Sequence, residues 1–487
     1  MQHIVMLSAF ILYICILLVI GLCASWLNPA NPSDKSSFLI GNRSVNYWVT
    51  AISAHAADMS DWLFMGFPAA IYLGGMFNVW VAIGLMIGMF SAWQFIAPAI
   101  RRETERYSCN TLPSYFEKKY NETQGRISIL SAIIMAFFFT IYVAAGVKGA
   151  GYLLRASFGI PYHVGGAIAL AITFAYTFMG GYIAAAWVDF FQGLFLLGAI
   201  LITPVLGYMM SGGINAIITA AQSAQVPLTL FSGWHSMLGI ILGPITWGLG
   251  YLGMPHIISK FMGAHSAQEM HKSKYIGMIW QLLALSGATL TGFVGLALFY
   301  SRITRPELLF LLMTQTLLPE FVTGLVLCGI LAATLSTINA QSIVFAGVLV
   351  DDIYKRFVRP NATQTELVNI FQAAVFTVCV CGYIVAWDEH STIFNLVQFA
   401  WSGLGASFGP LTVMSLYSSG INKYGAFWGI LAGGLSAIIW RSLNITVAGF
   451  TINEMLPGFI VGLATIKLVS HFTREYLKAN HPSKAHI

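Results

Sequence analysis

Ser53-Ala54-His55-Ala56-Ala57-Asp58-Met59-Ser60-Asp61-Trp62 stands in the middle of an apolar run over 48–73. About 20 apolar residues suffice for one membrane-spanning helix. Two aspartates, two serines and a histidine crowd what should be its lipid-depth section. Small residues and serines there fit a locally unwound helix, whose freed carbonyls can coordinate a cation. A second stretch, Trp247-Gly248-Leu249-Gly250-Tyr251-Leu252-Gly253-Met254-Pro255, puts three glycines and a proline inside the run over 238–261. That composition predicts a second break.

The rest of the chain is consistent with a membrane protein. Of its 487 residues, 57% are hydrophobic and 9% charged, against about 25% charged in a soluble domain. The 47 glycines suit closely packed membrane helices. Thirteen apolar segments lie over 4–26, 48–73, 77–99, 127–156, 164–179, 187–210, 238–261, 275–300, 321–350, 367–387, 393–417, 426–443 and 455–469. The first is too long for a signal segment and reads as a retained helix. Counting from 48–73, the two broken helices are core helices one and six, the spacing an inverted repeat would give. If the N-terminus is outside and the C-terminus cytoplasmic, 19 of the 24 Lys and Arg residues fall on the inner side, as the positive-inside rule requires. The six cysteines lack metal-site spacing and read as small hydrophobes. The charge of +6 does not suggest a nucleic-acid partner.

Asp58, Asp61, Lys148 and Asp189 sit well inside apolar segments. Charges at that depth are costly and are functional candidates, although a structural ion pair is the plainer alternative. Ser336 and Thr337 place two hydroxyls in the run over 321–350. They can bond their own helix or supply oxygen ligands to a hard cation.

Several motifs resemble the sodium/solute symporter family, most closely its sodium/proline branch. They are Gly41-Asn42-Arg43-Ser44, Ala57-Asp58-Met59-Ser60, Phe138-Phe139-Thr140-Ile141-Tyr142, Trp187-Val188-Asp189, Trp247-Gly248-Leu249-Gly250-Tyr251, Pro255-His256-Ile257, Leu335-Ser336-Thr337 and Ala400-Trp401-Ser402-Gly403. The resemblance implies an all-α integral membrane protein with a LeuT-type core of two inverted five-helix repeats. The first repeat would span about 46–210 and the second about 237–417, with an extra helix at 4–26, two more over 424–470 and a tail at 471–487. Sodium, the coupling ion, would be held by the carbonyls of Ala56, Met59 and Ala333 and the hydroxyls of Ser336 and Thr337. Asp58 and Asp189 would support binding and passage of sodium. Asp58, Ser60, Asp61, Tyr142, Trp247, Tyr251, Gly253, Pro255 and Trp401 would form the substrate pocket. Flat aromatic rings suit the apolar flanks of a pyrrolidine or an aliphatic side chain.

The chain departs from the proline branch at Asp61, where Gly is usual, and at Lys148, where no charge is. Two such charges would cost less as a pair, so Asp61 and Lys148 are expected to bond. The expected function is therefore sodium-coupled symport of proline or a more polar neutral amino acid across the cell membrane, by a monomer and without enzymatic chemistry. Proton coupling, a channel and a transport-dead sensor are the rival readings.

Overall fold

The computed structural model describes residues 2–27, 40–299, 303–389, 391–447 and 449–480. Helix α1 covers Gln2–Leu27 and α2 Tyr47–Ala56, capped by the Asn46 side chain on the Val49 N–H. After a break, a π turn over Trp62–Gly66 leads into α3, Phe67–Gly74. Helices α4 (Val79–Ser91) and α5 (Ala97–Arg106) join through another π turn, and α6 (Leu112–Lys119) carries a Thr111–Ser114 capping box. Helix α7 is Arg126–Phe158 and α8 is Tyr162–Met210. Short α9 (Ile214–Ser223) precedes α10, Trp234–Leu242. A 3₁₀ stretch over Pro244–Leu252 then leads to α11, Pro255–Met262. The rest are α12 (Met270–Phe299), α13 (Leu309–Leu317), α14 (Glu320–Gly347), α15 (Gln364–Val385), α16 (Ile393–Tyr417), α17 (Lys423–Leu443) and α18 (Met455–Asn480). A two-residue hairpin, Thr446–Val447 with Phe450–Thr451, separates the last two.

Ten helices among the described residues are long and apolar enough to cross a membrane. Their outward faces carry exposed Ile129, Ile133 and Phe137 on α7, and Tyr275, Ile279 and Leu282 on α12. The three-to-four-residue spacing of these side chains marks one stripe per helix, which would be unfavourable in water and suits lipid. Two expected segments, 164–179 and 187–210, fall in the single element α8, which is helical over 49 residues. Its contacts show a path that doubles back. The Tyr162 hydroxyl donates to the Ala386 carbonyl, Tyr182 lies against Ser259 and Lys260, and Gly207 returns to Val294 and Leu298, near the Tyr162 end.

Charged residues gather at both ends of the bundle, in ion pairs at each. One end holds Arg43, Arg101, Lys119 and Arg356, the first bonded to Thr104 and Cys109 carbonyls. At the other end Arg155 and Arg305 share Glu389, and Arg441 pairs with Glu454.

The two breaks are set in matching surroundings. Helix α4, which follows the first break, packs on the second, with Gly84 facing Ile245 and Gly88 facing the Gly248 backbone. Helix α12, which follows the second, packs on the first, with Gly277 against His55 and Gly292 against Ile71. A Cβ at Gly88 or Gly248 would collide with backbone that cannot yield. Overpacking of this kind costs about 1–3 kcal/mol or more. Gly88→Val and Gly248→Val are expected to lower thermal stability in detergent by at least that much. Gly198, with open space around it, should accept Ala within about 1 kcal/mol; equal losses at all three positions would overturn the account.

Candidate functional site

Between Ala56 and Trp62 the helical ladder is re-routed. In a continuous helix Ser60 and Leu63 N–H would serve the carbonyls of Ala56 and Met59. Here they turn to Asp58 and Ser60 instead, so the two carbonyls expected to hold a cation lose their helical donors. The Trp62 indole donates to the Asp58 carbonyl at 2.9 Å. The carboxylate of Asp58 accepts the Tyr251 hydroxyl at 2.7 Å, joining the first break directly to the second. Its other oxygen, Oδ1, is buried and has no partner.

The aromatic residues gather on the second break. Trp247 packs on Trp62 and on Phe394, the latter ring 4.9 Å away. The Trp401 indole donates to the Trp247 carbonyl at 2.8 Å, and its ring meets Tyr251 edge-on at 5.0 Å. Gly253 lies against the backbone of Phe408 and Gly409, an approach only glycine allows, and Pro255 opens α11. Tyr142 on α7 is buried with its hydroxyl unpartnered, near the His256 ring. Thus Asp58, Trp247, Tyr251 and Trp401 form one connected cluster, with Tyr142 facing it.

Asp61 and Lys148 do not bond. Asp61 Oδ1 accepts the Ser60 hydroxyl at 2.8 Å, Oδ2 has no partner, and the carboxylate lies against Gly149. Lys148 donates to the carbonyls of Asp388 and Ser391 at 2.5 and 2.6 Å and to the Ser391 hydroxyl at 2.9 Å. Successive residues of a helix point about 100° apart, so the neighbour of the residue touching Asp61 faces the loop before α16. Glu307 clamps the same loop by accepting the Ile393 N–H at 2.6 Å, and burial pushes its carboxyl above the usual range.

The hydroxyls of α14 point differently from one another. Thr337 donates to the Ala333 carbonyl of its own helix at 3.2 Å. Ser336 donates to Asp189 Oδ1, and Asp189 Oδ2 takes the Lys260 ammonium at 2.8 Å. Asp189, Lys260, Ser336, Asn339 and Ser259 line a small cleft. Lys260 is only 4% exposed; in sequence it reads as a loop base marking topology. Sequence reasoning also missed Gln281, whose amide reaches the Tyr251 hydroxyl at 3.4 Å. No local pattern announces either partner, because each lies on another helix.

A sequence profile described as the "Sodium:solute symporter family" matches residues 38–433. The chain is 37% identical over 447 residues to the high-affinity proline transporter PutP of Bacillus subtilis, covering 91% of this chain and 93% of that one. It is 36% identical to sodium/proline symporter 2 of Staphylococcus saprophyticus, over 96% of this chain and 92% of that one. Among solved structures, a Na⁺-coupled sialic acid symporter in a substrate-bound outward-open state superposes with a TM-score of 0.78. The match covers 97% and 98% of the two chains at 17% identity, and so concerns the fold. The matched proteins are transporters rather than enzymes.

The separation of Asp61 from Lys148 yields a direct test. In thermal unfolding, Asp61→Asn and Lys148→Met should add within about 0.5 kcal/mol, whereas Asp58→Asn and Tyr251→Phe should couple by more than that. Strong coupling of the first pair would restore the ion pair.

Proposed function

The chain belongs to the sodium:solute symporter family, and from that premise we propose that it imports a small neutral amino acid, proline first, by sodium-coupled alternating access. The observation that carries the proposal is the Tyr251–Asp58 bond, which ties two unwound segments together beside a ring of aromatics. Unwound half-helices facing each other are the usual seat of substrate and coupling ion in inverted-repeat transporters.

In this reading sodium is held by the carbonyls of Ala56, Met59 and Ala333 and the hydroxyls of Ser336 and Thr337. It draws the first break against α14 and completes the pocket of Asp58, Ser60, Asp61, Tyr142, Trp247, Tyr251, Gly253, Pro255 and Trp401. Because the coupling is a shared binding free energy, sodium and substrate raise each other's affinity by the same factor. The chain would cross the membrane thirteen times, α8 counting twice, with repeats over about 46–210 and 237–417. The N-terminus would be outside, the end holding Arg43, Arg101, Lys119 and Arg356 cytoplasmic, and the monomer the working unit. The lysine–glutamate clamp on the loop before α16 then closes the outer path over Trp247, while the cleft at Asp189 leads inward.

Asp61 favours a second reading of the substrate. Its buried, unpartnered Oδ2 would accept a donor that proline lacks, so a neutral amino acid with a polar side chain is the alternative.

Purified protein in liposomes, given an inward sodium gradient and labelled proline, decides between them. Sodium-dependent proline uptake supports the first reading; sodium-dependent uptake of a polar competitor instead supports the second. Ser336→Ala should raise the half-saturating sodium concentration by about 10- to 100-fold, the worth of one bond to a charged group. Uptake driven by a pH jump with no sodium present would overturn sodium coupling.

A further inference from the structure

We propose that Lys260 is a tethered cation that neutralises Asp189 and thereby sets how tightly the neighbouring site holds sodium and how readily it lets go. The inference rests on the sodium reading above, and adds a positioning residue to it.

The geometry runs through three side chains. Ser336 gives its proton to Asp189, so its lone pairs remain for another partner. A hydroxyl bonded to a carboxylate is polarised and becomes a stronger cation ligand, as outer partners do for metal ligands generally. The strength of that effect depends on how much negative charge Asp189 keeps. Lys260 determines it: its ammonium bonds the second carboxylate oxygen, with side chains 5% and 1% exposed. The Tyr182 ring lies 5.3 Å from the same ammonium, and its hydroxyl shares its proton between the Ser259 and Lys260 carbonyls. Lys260 therefore sits on a braced turn of α11, the helix that leaves the second break. The three side chains share the cleft that Asn339 and Ser259 also line. An ion leaving the Ser336 site by this cleft meets Asp189 already occupied by an ammonium, so the carboxylate does not trap it.

Each of four variants has an expected direction. Lys260→Met leaves Asp189 uncompensated, one hydroxyl from sodium. The half-saturating sodium concentration should fall by about fivefold or more, the size of a typical site-to-site coupling, and the maximal uptake rate should fall with it. Asp189→Asn leaves Lys260 unpaired and should raise half-saturation by a similar factor. The double variant should lie between them, and Lys260→Arg should stay near the unaltered protein.

Sodium-dependent uptake in proteoliposomes, with substrate saturating, reads all four. Opposite shifts in the two single variants support the proposal. Unmoved sodium half-saturation in Lys260→Met, with only the amount of folded protein reduced, overturns it. If Lys260→Met does not fold, the double variant decides: tighter sodium binding than in Asp189→Asn supports the proposal, and equal binding overturns it. Uptake by the unaltered protein that is indifferent to sodium would instead remove the symport reading beneath it.

Discussion

Backbone polar groups at membrane depth have no water to bond, and among the described residues the stretches 57–60 and 244–254 interrupt their helices there. Each interruption is affordable only because protein surrounds it. The Asp58 carboxylate takes a hydroxyl from the second break, and its carbonyl takes the Trp62 indole. The second break receives the Trp401 indole on the Trp247 carbonyl. Once these groups are committed to one another, the flanking helices must lie where the glycines allow, and the aromatic cluster is assembled as a result.

Both breaks were legible in the sequence because they violate a local rule. Polar residues in 53–61 and glycines in 248–253 contradict the apolar runs around them, and contradiction within one helix is visible without a partner. The pairing of charges was not legible. Lys148 and Asp61 looked like natural partners by depth, yet the lysine reaches loop carbonyls 240 and 243 residues along the chain. Carbonyls are present at every residue and leave no mark in composition. Lys260 shows the converse: a base near a helix end reads as a topology signal, and only the fold brings Asp189 within 2.8 Å of it.

The two candidate regions are treated differently by their surroundings. Around Trp247 the site is closed by rings and by a loop fastened through Lys148 and Glu307. Around Asp189 the charges are matched and a cleft remains. Buried ion pairs are weak evidence of stability on their own, since desolvation offsets much of the attraction. Their placement beside the cleft, rather than in the packed centre of the bundle, is what gives the Asp189 pair its interest.

The glycine seam between α4 and the second break has a mechanical meaning. With Gly84, Gly88 and Gly248 in contact, backbone meets backbone and no side chain stands between as a compliant spacer. Interlocking side chains can change rotamer and let two helices shear; bare backbones have no such freedom. The seam therefore behaves as a weld rather than a bearing. Any rearrangement that carries the second break must take α4 along with it, and α16 as well, since Gly253 meets the Phe408 and Gly409 backbone in the same way.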